Sequence, residues 1–150
     1  MELLNEMNLS VKSLSINESF VRSAIAGFCV TANPTLDEIT DIKTAVSEAI
    51  TNCVVHAYPE KAGIIDIKVK LYSEKVDISI TDYGTGIDNL KLATQPFFTT
   101  KPEQERSGMG FTVMESFMDN FNVVRNKTKG ITVHMTKYFG KSDDVVVAGA

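Results

Sequence analysis

Three polar residues spaced four apart suggest a chemically active stripe on one helix. Glu48, Asn52 and His56 stand at positions i, i+4 and i+8, so a helix places them along one side. The side-chain oxygen of Asn52 suits Mg²⁺, and Glu48 is placed to orient a hydroxyl and accept its proton. A solvated helix flank explains the same spacing, and the stripe alone favours that simpler interpretation. A zinc site using Glu48 and His56 is favoured even less, because the spacing is wide and further ligands are not evident.

A second candidate group closes a predicted strand. Asp82, Gly84 and Gly86 form an Asp-x-Gly-x-Gly pattern. A carboxylate at the end of a strand is able to accept a hydrogen bond from the exocyclic amine of adenine. The glycines allow the backbone to approach a flat ring and to turn sharply. Taken alone, an ordinary tight turn explains this pattern as well.

A third group precedes a predicted helix. Gly108-Met109-Gly110 exposes backbone N–H groups at the start of that helix, which suits phosphate oxygens. The preceding loop, residues 95–107, lies between the two glycine motifs and is typical of a lid, although a surface insertion is the simpler alternative. Several of its side chains are able to contact phosphate: Thr99, Thr100, Lys101 and Arg106.

Local patterns predict the elements that position these groups. Ser15 with Glu18 and Thr35 with Glu38 are capping-box pairs, and each pair predicts the start of a helix. The first of these helices is predicted to end before Asn33-Pro34, and the second near Tyr58-Pro59. Their expected apolar faces comprise Ile16, Phe20, Ala24, Ile25 and Phe28, and then Leu36, Ile39, Ile42, Val46, Ala49, Ile50, Cys53, Val54 and Ala57. Further helices are predicted at 90–93 and 111–119, and strands at 7–13, 64–72, 76–81, 122–125 and 131–138. The sum is an α+β two-layer sandwich: a mainly antiparallel sheet with helices on one face.

Composition limits the functional classes. The 150 residues are 43% hydrophobic with a net charge of -4, which indicates a folded domain and argues against direct nucleic-acid binding. No apolar run approaches the length of a membrane span, and no secretory signal is evident, so no membrane partner is expected. Cys29 and Cys53 lie among apolar residues, which favours a reducing compartment, and the cytoplasm is the expected location. Residues 1–140 are expected to form one domain, and 141–150 a loose tail.

The order of the three groups resembles the Bergerat ATP-binding fold of the GHKL superfamily, which DNA gyrase, the MutL proteins and the histidine kinases share. Glu48 to Asn52 matches the N box, Asp82 to Gly86 the first glycine box, and Gly108 to Gly110 the second. Chance agreement of all three in this order is improbable. The sequence therefore predicts nucleotide binding, and the simpler interpretation of each group is rejected.

Longer segments resemble one branch of that superfamily, the small anti-sigma factor serine kinases. The resemblance is carried by segments 47–58, 95–102 and 105–111, and similarity extends from about Asn5 to Lys141. A histidine kinase would need a further pair of dimerisation helices, and the gyrase and MutL types carry transducer domains. The segment 109–115 favours the sporulation branch over the general-stress anti-sigma B branch.

The resemblance implies an activity, its cofactors and its partners. A member of the family is a homodimer that holds a sigma factor inactive, here of the sigma F type. It also phosphorylates a serine of an anti-anti-sigma factor with Mg-ATP, leaving ADP. A second interpretation is a module in which nucleotide only shapes the sigma-binding surface. Glu48 disfavours that interpretation, since such a module need not keep a carboxylate there.

The resemblance also implies roles for individual residues. Glu48 is expected to be the catalytic base, Asn52 the Mg²⁺ ligand, and Arg106 a group that stabilises the transferred phosphoryl. Asp82 is expected to read adenine, with Thr132 behind it. Further nucleotide contacts are expected from Gly84, Gly86, Thr99, Thr100, Lys101, Ser107, Gly108, Met109 and Gly110.

Two further features concern the base contact and the partner surface. Ile131 departs from the paired threonines that relatives often show, and its side chain supplies no hydroxyl for a water-mediated adenine contact. Arg22 lies in a segment, 17–22, that resembles the docking helix of the family. We expect Arg22 to contact both the sigma factor and the anti-anti-sigma factor.

Overall fold

Alternation of buried and exposed side chains builds a five-stranded sheet. The computed structural model describes residues 1–85, 110–127 and 129–140. The strands are β1 (Leu3–Lys12), β2 (Ile64–Tyr72), β3 (Lys75–Asp82), β4 (Asn120–Arg125) and β5 (Ile131–Tyr138). Their order in the sheet is β1-β2-β3-β5-β4, and every neighbouring pair is antiparallel. In β3 every second residue is buried, so one face of the sheet is covered and the other is open.

Helices cover the buried face of the sheet. They are α1 (Ile16–Cys29), α2 (Leu36–Asn52) and α3 (Gly110–Phe117), with a short 3₁₀ turn at Val30–Ala32 and a π-helical turn at Cys53–Ala57 that continues α2. The core between the layers is formed largely by Ile, Val, Leu and Met side chains from α1, α2, α3, β2, β3 and β5. The predicted α+β sandwich is confirmed. No helix in the described ranges is long and apolar enough to cross a membrane.

The capping box at the start of α2 forms as the sequence predicts. The Thr35 hydroxyl accepts the Glu38 N–H at 3.1 Å, and the Glu38 carboxylate accepts the Thr35 N–H at 2.7 Å. The other Glu38 oxygen accepts the N–H of Gly140 at 2.9 Å, so this buried carboxylate also ties the chain after β5 to the helix. Two backbone donors, from Thr35 and Gly140, therefore satisfy the Glu38 carboxylate.

The capping box predicted at Ser15 is wrong. Ser15 adopts helical backbone angles, and its side chain caps no N–H. The Glu18 carboxylate instead accepts a hydrogen bond from the Arg22 guanidinium at 3.0 Å, one turn along the helix. The pattern failed because a charged partner at i+4 competes for the same carboxylate.

Helix α2 buries most of its predicted apolar face, whereas α1 buries a row that differs from the predicted one. In α1 the buried row is Val21, Ile25 and Cys29, whereas Ile16 and Phe20 are 76% and 53% exposed. Both rows repeat every four residues and are adjacent on the helix, so the sequence alone does not choose between them. Leu36, at the first position of α2, is likewise exposed.

The two predicted caps supply a matched pair of variants. We expect Thr35→Ala to lower the free energy of unfolding by about 1 kcal/mol, because it leaves the Glu38 N–H without its acceptor. Ser15→Ala removes the same hydroxyl chemistry from a helix start where it caps nothing, and should change stability by less than about 0.5 kcal/mol. Urea denaturation of both variants measures this difference. Equal destabilisation by the two would contradict the assignment.

Candidate functional site

Asn52 lies where the end of α2 meets the start of α3. Its Oδ1 is 3.0 Å from the point that a Cβ on Gly110 would occupy, and its Nδ2 is 3.2 Å from that point. Gly110 therefore gives the Asn52 amide its place against the first turn of α3. The structure thus brings together the candidate metal ligand and the helix start that was predicted to receive phosphate.

Glu48 lies one turn earlier on α2 and is half-buried. It lines an open groove of about 410 Å³ between α1 and α2, together with Arg22, Thr40, Lys43, Thr44 and Ser47. Its side chain thus borders a surface that another molecule is able to reach. Such a position suits a base that acts on a group supplied from outside.

Arg22 connects the two helices beside that groove. Its guanidinium donates to the Glu18 carboxylate at 3.0 Å and to the Ser47 hydroxyl at 3.2 Å. A further contact reaches the Ser19 hydroxyl at 3.4 Å. These bonds hold an incompletely buried guanidinium next to Glu48, and its remaining N–H donors are able to serve a partner.

Asp82 presents a buried carboxylate at the end of β3, only 4% exposed. One oxygen, Oδ1, accepts the backbone N–H of Gly84 at 3.1 Å and that of Ile131 at 3.4 Å. The other, Oδ2, lies 4.0 Å from the Sγ of Cys53, a weak donor. Oδ2 therefore keeps acceptor capacity for an amine of a ligand.

The surroundings of Asp82 shift the protonation of both buried groups. Burial raises the pKa of the Asp82 carboxyl, and the N–H groups of Gly84 and Ile131 oppose that rise. Burial and then the charge of Asp82 raise the pKa of the Cys53 thiol. The thiol therefore stays protonated, and its S–H faces the carboxylate.

Gly84 is required by the close approach of the turn that follows α2. A Cβ on Gly84 would lie 2.0 Å from the carbonyl oxygen of Ala57, the last residue of the π-helical turn. The Thr85 N–H donates to that same carbonyl at 3.0 Å, and the Thr85 hydroxyl donates to the His56 carbonyl at 3.1 Å. The loop after Asp82 thereby caps the wider turn, which the sequence predicted as plain helix.

Two tyrosines that the sequence analysis did not select hold the other side of this loop. The Tyr58 hydroxyl accepts the N–H of Tyr83 at 2.7 Å and donates to the carbonyl of Ile64 at 2.7 Å. The Tyr83 hydroxyl donates to the Asp66 carboxylate on β2 at 2.5 Å. The only signal in the sequence was position, since Tyr58 precedes the proline that ends the helix and Tyr83 lies inside the Asp-x-Gly motif.

Thr132 lies on the open face of the sheet, opposite the side chain of Asp82. It pairs with Thr81 across β3 and β5, and both side chains are half-buried there. The neighbour on the Asp82 side is Ile131, whose side chain joins the core while its backbone N–H reaches the carboxylate. A nucleotide contact by Thr132 stays a prediction, and among the described residues the hydroxyl is linked to the Asp82 carbonyl through Asn126.

The other predicted site residues lie outside the described residues: Gly86, Thr99, Thr100, Lys101, Arg106, Ser107, Gly108 and Met109. The same holds for the helix predicted at 90–93, the lid at 95–107 and the tail at 141–150. Across the ranges that are described, no group of three or more His, Cys, Asp or Glu side chains is arranged to hold a metal.

Comparison with known proteins identifies relatives along nearly the whole chain. Residues 15–137 match the family model of the histidine kinase-like ATPase domain. An anti-sigma F factor from Caldanaerobacter subterraneus subsp. tengcongensis is 51% identical, over 95% of this chain and 99% of its own. An anti-sigma F factor from Bacillus cereus (strain G9842) is 53% identical, over 93% of this chain and 96% of its own.

A solved structure supports the fold. The crystal structure of the RsbU and RsbW domains of Rv1364c from Mycobacterium tuberculosis superposes with a TM-score of 0.64 at 16% identity. The match covers 90% of this chain, which spans 32% of that chain. At this identity the likeness concerns the fold alone.

The buried carboxylate predicts opposite effects of one substitution on stability and binding. The raised pKa means that Asp82 binds a proton more tightly in the folded state than in the unfolded state. Protonation of Asp82 therefore stabilises the fold fully below pH 3.8, the pKa of an ordinary Asp. This stabilisation is lost as the pH rises through the raised pKa of the folded state. Asp82→Asn keeps an acceptor for both N–H groups without the charge. We expect it to melt at a higher temperature at pH 7, with a flatter pH dependence, and to bind ATP at least about tenfold more weakly.

Thermal denaturation across the acidic range and ATP titration measure the two effects. Asp77→Asn is the matched control, because it removes the same charge from the open face of the sheet. It should leave ATP affinity unchanged. A loss of stability without any loss of ATP affinity in Asp82→Asn would contradict the assigned role.

Proposed function

Because the chain belongs to the histidine kinase-like ATPase family and, within it, to the anti-sigma F factors, we propose that it is an anti-sigma factor and an ATP-dependent protein serine kinase. It acts as a homodimer that holds a sporulation sigma factor, sigma F, inactive. It phosphorylates a serine of the anti-anti-sigma factor.

One observation carries the nucleotide-dependent part of this proposal. Asn52, the last residue of α2, contacts the start of α3, and the next residue, Cys53, contacts Asp82. The candidate metal ligand Asn52, the N-terminus of α3 and the buried carboxylate of Asp82 therefore all lie close to the end of α2. These are the groups that a Mg-nucleotide needs at its metal, its phosphates and its base.

The described residues divide the binding of ATP among them. The second oxygen of Asp82, Oδ2, faces the weak donor Cys53 and accepts the exocyclic amine of adenine. The backbone N–H groups at the start of α3, from Gly110, would bind the phosphates, and the amide oxygen of Asn52, which lies beside Gly110, would hold Mg²⁺. When bound, Mg²⁺ neutralises charge on the phosphate oxygens. The predicted loop residues, including Lys101 and Arg106, would add cationic contacts.

Glu48 serves the transfer step. It accepts the proton of the substrate serine as the serine oxygen forms a bond to the γ-phosphorus and the bond to the bridging oxygen breaks, which releases ADP. Its place in the groove between α1 and α2 supports this role, because a protein substrate approaches from the surface. Arg106 stabilises charge on the transferred group.

The partner surface lies on α1 beside the same groove. Arg22 is held by Glu18 and Ser47, so its guanidinium is ordered before a partner binds. Arginine is also one of the residue types that most often carry the binding energy of an interface.

The division of roles on α2 predicts two different defects. Glu48→Gln should reduce phosphoryl transfer at least about 100-fold while ATP affinity is retained, because only the base is lost. Asn52→Ala should weaken Mg-nucleotide binding itself, because its amide oxygen is the metal ligand. Labelled ATP with the anti-anti-sigma factor measures transfer, and calorimetry measures binding. Equal loss of ATP affinity in both variants would contradict this division, and tight ATP binding by the wild type without phosphoserine would indicate a binding module.

Arg22→Ala tests the partner surface. We expect at least about tenfold weaker binding of both the sigma factor and the anti-anti-sigma factor, because the two compete for one face. Lys70→Ala is the matched control, since it removes an exposed cation that is paired with Glu6 on the sheet. A melting curve separates lost docking from lost packing between α1 and α2. Unchanged affinity for both partners would rule out this surface.

A further inference from the structure

The backbone carbonyl of Asp82 is held by a side chain rather than by the sheet. The β3–β5 pairing ends at Thr81 and Thr132, so Asp82 lies one residue beyond it. Its carbonyl accepts the amide N–H of Asn126 at 2.5 Å, and the same nitrogen lies 3.2 Å from the carbonyl of Lys129. Turning the amide over would place its oxygen against two carbonyl oxygens. Hydrogen bonding therefore fixes the orientation of Asn126.

Thr132 orients this amide. Its hydroxyl donates to the Oδ1 of Asn126 at 2.7 Å. A threonine has one hydroxyl hydrogen, so in the 2.9 Å bond between Thr132 and Thr81 the donor is Thr81. The result is a directed series of hydrogen bonds from Thr81 through Thr132 and Asn126 to the carbonyl of Asp82.

The turn that begins at Asn126 ends at Gly130, which packs against Asp82. Gly130 has φ +93°, and a Cβ there would lie 2.2 Å from the Asp82 carbonyl oxygen and 2.7 Å from its Oδ1. The next residue, Ile131, donates its N–H to that same Oδ1. Asn126 thus holds the start of a turn whose end positions the carboxylate.

From this geometry we propose that Asn126, oriented by Thr132, is a positioning residue that sets the base specificity of the nucleotide site through Asp82. The inference rests on the proposed function, in which Oδ2 of Asp82 accepts the adenine amine. Displacing the Asp82 backbone moves Oδ2 away from that amine. The phosphate contacts from α2 and α3 do not pass through Asn126. Loss of Asn126 should therefore weaken discrimination between bases and leave phosphate binding unchanged.

The test compares two nucleotides that differ at the group Asp82 reads. Inosine triphosphate carries a carbonyl where adenine carries the amine, so the ratio of its Kd to that of ATP measures the contact. We expect Asn126→Ala and Thr132→Val to lower this ratio by about tenfold, with affinity for inosine triphosphate within about twofold of the wild type. Thr132→Ser keeps the hydroxyl donor and should restore the wild-type ratio.

Thr136→Val is the matched control. Thr136 lies on the same strand and face, and its hydroxyl donates to Asp77 at 2.6 Å, remote from Asp82. It should keep the wild-type ratio. An unchanged ratio in Asn126→Ala, an equal loss of both nucleotides, or an equal effect of Thr136→Val would overturn the inference. If Asn126→Ala does not fold, the ratio measured for Thr132→Val tests the inference, and an unchanged ratio there would overturn it. A wild-type ratio near one would instead contradict the role of Asp82 itself.

Discussion

A carboxylate buried at the end of β3 has to be satisfied by hydrogen bonds, and much of the surrounding structure follows from that need. The Oδ1 of Asp82 accepts the N–H groups of Gly84, in the loop after β3, and of Ile131, at the start of β5. Gly84 also lies against the end of the π-helical turn, and Gly130 lies against Asp82 itself. One charged group therefore fixes where the helix layer, the loop after β3 and the turn before β5 meet.

In the proposed function, this arrangement lowers stability but provides a contact to the nucleotide base. A carboxyl whose pKa is raised by burial is held against the preference of its charged form for water. A fold selected for stability alone would place an amide or an apolar side chain there. Ionisable groups whose pKa is shifted by their surroundings concentrate at functional sites, and the buried carboxyl of Asp82 fits that pattern.

In the proposed function, helix α2 carries the metal ligand and the catalytic base on one rigid element. Its end holds Asn52 against α3 and Cys53 against Asp82, and one turn earlier Glu48 borders the groove shared with Arg22. The buried residues of α2 lock its rotation, so these positions do not vary independently. Precise placement of a nucleotide beside a protein substrate requires such a shared support, because phosphoryl transfer depends chiefly on positioning.

The sequence by itself determined the features that depend on neighbours along the chain. The alternating strands, the capping box at Thr35 and the stripe that carries Glu48 and Asn52 all follow from local geometry and backbone chemistry. The tertiary structure decided the rest. Which apolar row of α1 is buried, why position 84 is glycine, and the link from Asn126 to Asp82 depend on contacts between residues distant in the sequence. Local sequence patterns do not predict such contacts, because the isolated segments have alternatives of similar energy. Packing and hydrogen bonding between distant residues determine which alternative forms.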